Sequence, residues 1–130
     1  MKLVVTEPES RALRDFLAAG GRKTSSEILL TESVRAVKRR ALARGDDGVP
    51  ELGRLASVVE GFELSSLNRE VLVRAGVLGP STLGTLDAIH VATALSLPSA
   101  SLCFVSYDRR QLDAARGAGL TTASPGAEAA

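Results

Sequence analysis

An apolar run, Leu102-Cys103-Phe104-Val105-Ser106-Tyr107, stands between two segments of helical character and ends on Asp108. Before it, Thr85 to Leu95 reads as a helix with Asp87 in its first turn. After it, Arg109 to Arg116 reads as a short helix stopped by Gly117 and Gly119. A buried strand enclosed by helices must find partner strands through crossover connections, which predicts an α/β fold with a mainly parallel sheet. In such sheets the carboxyl ends of the strands face the ligand crevice, where Asp108 would sit beside the start of the Asp87 helix. Acids placed there need a cation, a base or a hydrogen-bond network, and an acidic pocket of this kind suits a divalent cation.

The rest of the chain supplies the flanking elements. Thr6-Glu7-Pro8-Glu9 predicts a helix start, with Thr6 as the cap and proline where its missing N–H is harmless. That helix carries Leu13, Phe16 and Leu17 on one face and stops at Gly20-Gly21. Lys2 to Val5 fits either a short strand or the tail of a helix. Lys23 to Ser25 reads as a very short strand, and Ser26 as the cap of a long helix to about Arg44, ended by Gly45-Asp46-Asp47-Gly48. Pro50 opens a helix through Glu60 with Leu52, Leu55, Val58 and Val59 as its stripe. Phe62 to Leu64 is a short strand, Asn68 caps a helix through Ala75, and Gly79-Pro80 breaks the chain. Leu120 to Ala123 forms a last edge strand, and Gly126 to Ala130 a frayed tail. With no repeat and no linker, residues 1–130 are expected to form a single domain.

Composition narrows the function. The chain has 130 residues, enough for a real core, and is 45% hydrophobic but only 3% aromatic with no Trp, so that core must be aliphatic. A net charge of +1 carries no field that announces a nucleic-acid binder. The lone Cys103 excludes a disulfide framework and a zinc site, and reads as a reduced, buried, structural thiol. No apolar stretch spans a bilayer and no signal segment opens the chain, so a cytoplasmic location without a membrane partner is expected.

Each candidate residue has a bland role beside a chemical one. Asp87 shares a helix face with His90, Val91 and Ala94, yet an acid in a first turn is explained by the helix dipole alone, worth up to about 1 kcal/mol. Asp108 serves equally as a cap for the helix that comes after it. Glu32 lies inside the long helix after Ile28-Leu29-Leu30, close to Arg35, Lys38, Arg39 and Arg40. It is either a surface partner of Arg35 or Arg39, worth little, or an inward acid beside a basic surface, Arg35 and Arg39, for phosphates or an acidic partner. Glu27 competes with it, but a first-turn dipole role suffices there. His90, the only histidine, offers no metal-ligand spacing and reads as a buried residue hydrogen-bonded near the acids. No Gly-x-Ser-x-Gly elbow and no Gly-rich phosphate loop occurs, which removes serine hydrolases and nucleotide-binding loops.

Taken together, three segments resemble the PIN-domain family, in particular its VapC-type toxins. Thr24-Ser25-Ser26-Glu27-Ile28-Leu29-Leu30-Thr31-Glu32-Ser33-Val34-Arg35-Ala36 is similar to the family's Ser…Glu-x-x-Arg-Ala helix, with Glu32 as the acid. Leu86-Asp87-Ala88-Ile89-His90 is similar to its Leu-Asp-Ala-Ile-His helix, and Phe104-Val105-Ser106-Tyr107-Asp108 to its Val-Thr-Tyr-Asp strand end. The segments occur in the family's order, and Gly119-Leu120 through Pro125-Gly126 resembles its C-terminal strand. The family usually opens with a strand ending in Asp-Thr/Ser-Ser-Ala and a helix leading into a Glu-Pro-Glu segment. Met1 to Ser10 resembles the end of that helix and the Glu-Pro-Glu segment, so the resemblance places the first strand and its acid upstream of Met1.

The resemblance implies a three-layer PIN-like fold, with a mainly parallel central sheet flanked by helices. It implies a metal-dependent ribonuclease toxin, neutralised by a cognate VapB-type antitoxin and forming a homodimer. Asp87, Asp108 and Glu32 would be the catalytic acids and the ligands of Mg²⁺ or Mn²⁺, and Ser106 would position water or phosphate. The RNA substrate and the partner would meet Arg35 and Arg39. The alternative is a catalytically impaired PIN-like module that only dimerises or binds antitoxin, because the first acid is missing.

Overall fold

The computed structural model describes residues 1–98 and 100–127, so positions 128–130 of the expected frayed tail lie outside the described residues. The chain divides into two units, Met1–Leu64 and Ser65–Ala130.

The first unit carries α1 (Ser10–Ala19), β1 (Thr24–Ser26), α2 (Leu29–Arg44), α3 (Val49–Glu60) and all but the last residue of β2 (Glu63–Ser65). Helix α1 begins later than the Thr6 cap predicted, because Ser10 takes over the polar work. Its buried hydroxyl accepts the Glu7 N–H at 2.8 Å and donates to the Val5 carbonyl at 3.2 Å. Lys2 to Val5 is not a strand. The Val4 and Val5 N–H groups both donate to the Met1 carbonyl, at 3.0 and 2.9 Å, and Arg54 Nε donates to the Val4 carbonyl at 2.9 Å. These backbone groups are satisfied by a turn and a side chain and not by a ladder.

Helix α2 likewise starts beyond its expected cap. Ser26 instead accepts the Ile28 N–H at 3.3 Å, within the turn that leads into the helix. The far end is as expected: Gly45 adopts φ +84°, and its N–H and that of Asp46 return to Ala41 and Leu42 carbonyls. Pro50 sits in the first turn of α3. The stripe read from α3 packs as predicted, with Leu55 buried against Val4 and Val37, and Leu52, Val58 and Val59 around them. Glu51, almost fully buried, is held by Arg44 and by Arg54 at 3.7 Å. Strands β1 and β2 form a two-stranded sheet, with the Glu63 N–H donating to the Lys23 carbonyl at 2.7 Å.

The second unit carries α4 (Arg69–Val77), α5 (Thr85–Leu95), β3 (Cys103–Val105), α6 (Arg109–Gly117) and β4 (Thr121–Ala123). Asn68 caps α4 as expected, accepting the Val71 N–H at 2.9 Å. Strands β3 and β4 run parallel, with Cys103 opposite Thr121, Phe104 opposite Thr122 and Val105 opposite Ala123. One more ladder bond extends the pair, from the Ser106 N–H to the Ala123 carbonyl at 3.2 Å. The Ser106 carbonyl then accepts the Ser124 hydroxyl at 2.7 Å instead of a backbone donor. That switch is why the six-residue apolar run yields so short a strand.

Helix α5 packs against both α4 and α6. It buries Ala88, Ile89, Val91, Ala92, Thr93 and Ala94, so it is enclosed on most of its circumference. Val91, Ala114 and Ala115 form the centre of the core, with Leu78, Leu83, Leu95, Phe104 and Leu120 around them. The core is aliphatic, as the composition requires. Cys103 is only partly buried, not enclosed as expected, although that burial pushes its thiol pKa up. No helix among the described residues is long and apolar enough to cross a membrane.

Candidate active site

Asp87 enters the site from the first turn of α5. The residue before that helix, Gly84, supplies no capping side chain, and a Cβ built there would lie 3.5 Å from Asp87 Oδ2. The glycine therefore keeps the space beside this oxygen open. The other oxygen, Oδ1, accepts the Gln111 side-chain amide at 2.8 Å.

Asp108 comes after β3 and is the N-cap of α6. Its Oδ1 accepts the N–H groups of Arg110 at 2.8 Å and Gln111 at 3.3 Å. The capping role read from the sequence is therefore present. The residue is exposed, and both of these cap bonds fall on Oδ1.

Ser106 links the two acids. Its buried hydroxyl accepts the Asp108 N–H at 3.0 Å and donates to Gln111 Oε1 at 2.7 Å. Asp87 and Asp108, 24 and 3 positions from Gln111, thus both bond to one residue, Asp87 through the side chain and Asp108 through the backbone. Gln111 was not among the residues singled out in the sequence. The available signal was its spacing: Asp108-x-x-Gln111 has the form of a capping box. Here the amide does not return to the cap N–H, because Ser106 already accepts it.

Glu32, Arg35 and Arg39 belong to the first unit, all on α2. Glu32 lies in the first turn and is half-buried; Arg35 and Arg39 are exposed and one helical turn apart. His90, expected to be buried, is only half-buried on α5.

Among the described residues, no group of three or more His, Cys, Asp or Glu side chains forms a ready-made metal cage. The donor set around Gln111 nonetheless fits a hard divalent ion. Asp87 and Asp108 offer carboxylate oxygens, and such ions are commonly held by one or two carboxylates with waters and substrate phosphates completing the shell. A carboxylate steadied by an amide donor is also the arrangement in which outer-shell partners orient metal ligands.

A helix-borne acid, a strand-end acid and short parallel strands between helices define an α/β protein with a candidate acidic site, and the comparisons give its family. The PIN-domain family matches residues 1–117, and the chain belongs to that family. It is similar to Ribonuclease VapC47 of Mycobacterium tuberculosis strain CDC 1551 / Oshkosh, 37% identical over 130 residues, covering 97% of this chain and 91% of that protein. It is also similar to Ribonuclease VapC46 of Mycobacterium tuberculosis strain ATCC 25618 / H37Rv, 39% identical over 127 residues, covering 96% of this chain and 91% of the relative. No solved structure gives a significant match. PIN-domain nucleases of the VapC kind generally depend on a divalent metal.

Proposed function

We propose that this chain is a VapC-type ribonuclease toxin that hydrolyses RNA phosphodiester bonds, working as a single PIN-like domain. The family match spans both units, which supports the single-domain reading. The observation that carries the site is the junction at Gln111, where acids from two separate elements, Asp87 and Asp108, bond to one residue. We assign Asp87 and Asp108 as ligands of Mg²⁺ or Mn²⁺; Glu32, on α2 of the first unit, is the third acid that the family resemblance implies.

A divalent cation bound there supplies charge neutralisation for the phosphate and a readily deprotonated water for in-line attack. Asp87 presents Oδ2 on the side that Gly84 leaves open, while Oδ1 stays on the Gln111 amide. Asp108 holds the start of α6 with Oδ1 and presents Oδ2. Ser106 gives its one proton to Gln111, so it acts on water or phosphate through the lone pair left on its oxygen. Arg35 and Arg39, exposed on one face of α2, attract the RNA backbone or an acidic stretch of the antitoxin. A VapB-type antitoxin is the natural partner, and a homodimer the expected assembly.

The test is cleavage of RNA by the purified chain with Mn²⁺ or Mg²⁺, beside Asp87→Asn. Cleavage abolished by the substitution and by EDTA is expected. Cleavage indifferent to both would refute a metal nuclease centred on Asp87. Tight antitoxin binding with no cleavage under any metal would favour the impaired binding module.

A further inference from the structure

We propose that Gln111 is a positioning residue for Asp87, oriented by Ser106 so that Asp87 meets a cation through Oδ2 alone. The inference rests on the reading of Asp87 as a metal ligand.

The orientation is set by the direction of each hydrogen bond. The Asp108 N–H donates to Ser106 Oγ at 3.0 Å, so the hydroxyl proton must point elsewhere, and it goes to Gln111 Oε1 at 2.7 Å. Ser106 alone could also accept from an NH₂ group, but together with the acceptor-only carboxylate of Asp87 this bond fixes which end of the carboxamide is the carbonyl. The NH₂ end then faces Asp87 Oδ1 at 2.8 Å. Turning the amide over would set Oε1 against a carboxylate, two acceptors with no proton between them. Only one orientation satisfies every group, and it is relayed from the α6 cap to the carboxylate on α5.

The consequence for binding is specific. Asp87 Oδ1 is engaged by a donor that stabilises the charged carboxylate and fixes its plane. Oδ2, beside the space open at Gly84, is the oxygen left for a cation. Outer-shell partners of this kind typically alter metal affinity by about 10–100-fold when removed.

The experiment uses the full chain without RNA. Mn²⁺ affinity is measured by titration calorimetry for wild type, Asp87→Asn, Gln111→Met and Ser106→Ala, with melting temperature as the fold control. Methionine keeps the length of the side chain and removes both hydrogen bonds. The Gln111 side-chain NH₂ resonances are tracked in parallel by ¹⁵N NMR during a Mg²⁺ titration.

The inference expects Gln111→Met to weaken Mn²⁺ binding about tenfold or more, and Ser106→Ala to weaken it less. It expects the Gln111 amide resonances to move with Mg²⁺ in wild type and to stay still in Asp87→Asn. Gln111→Met binding within about twofold of wild type, with Asp87→Asn losing binding, overturns the role of Gln111 and leaves the site intact. Wild type and Asp87→Asn binding alike, or wild type not binding, overturns the site itself. Should Gln111→Met fail to fold, the amide titration decides: resonances unmoved by a cation that Asp87 does bind overturn the proposal.

Discussion

Asp108 combines a structural task with a proposed chemical one, and two substitutions separate them. As the N-cap of α6 it accepts backbone N–H groups at 2.8 and 3.3 Å, both on Oδ1. Asp108→Ala removes that acceptor and should cost about 1 kcal/mol, the usual value of a lost cap. For a chain of this size that lowers the melting temperature by about 3–5 °C. Asp108→Asn retains an oxygen in the same place and caps as well as aspartate. It loses only the charge near an exposed helix start, worth about 0.3 kcal/mol. Without metal, then, the asparagine variant should melt close to wild type and the alanine variant below it.

With Mn²⁺ the order changes. A ligand at 100 times its dissociation constant stabilises the native state by about 2.7 kcal/mol, a rise of roughly 10 °C here. Wild type should show that rise, and neither variant should approach it. Circular dichroism melts with and without Mn²⁺, paired with an RNA cleavage assay, read out both tasks. An asparagine variant with the full Mn²⁺ shift and full cleavage would refute a ligand role. One as unstable as the alanine variant in metal-free buffer would refute the cap argument.

Two further perturbations probe the scaffold. Gly48 has φ +71° and a Cβ there would lie 2.9 Å from Ala41 Cβ and 3.3 Å from Val37 Cγ1, whereas Gly45, at φ +84°, has nothing within 4 Å. Gly48→Ala should cost about 2–3 kcal/mol and Gly45→Ala about 1 kcal/mol, read from urea unfolding midpoints; equal losses would show that the close approach to α2 is not felt. Burial raises the Cys103 pKa, so less of it is thiolate at any given pH. Iodoacetamide at pH 8 should modify it more slowly than a cysteine peptide, and at the same rate once the chain is denatured; equal rates in the folded protein would contradict that burial.

Much of this scaffold was legible because its signals are local. Asn68, Pro50, Gly45 and Asp108 act through backbone groups within a few residues, and each stands where the sequence placed it. Legibility failed where several polar groups compete for the same backbone sites, or where a distant side chain intervenes. Thr6 and Ser26 have the chemistry of caps, but Ser10 bonds Glu7 and Val5, and Ser26 spends its oxygen on the Ile28 N–H just before the helix. The β-branched run at Lys2 to Val5 lost its ladder to Met1 and Arg54. In the site, the acids announce themselves by charge and by family likeness. Gln111 carries no charge, and its role depends on a serine five residues earlier and an acid across the unit's core. Its capping-box spacing from Asp108 points to a helix start, not to a bond with Asp87.

The core of the second unit has a consequence for how the site can drift. Val91, Ala114 and Ala115 are 0%, 5% and 0% exposed, and side chains this small have almost no rotamer freedom to surrender. The two helices that bear Asp87 and Gln111 are therefore spaced by methyl groups close to the backbone, not by long side chains that can rearrange. At Ala114 and Ala115 such a spacer has almost nothing to lose by truncation, Val91 being the one member that can be cut back, and it is intolerant of any added methylene. Sequence change at the two alanines meets a wall on one side only, and the separation of α5 from α6 is inherited as a nearly fixed length.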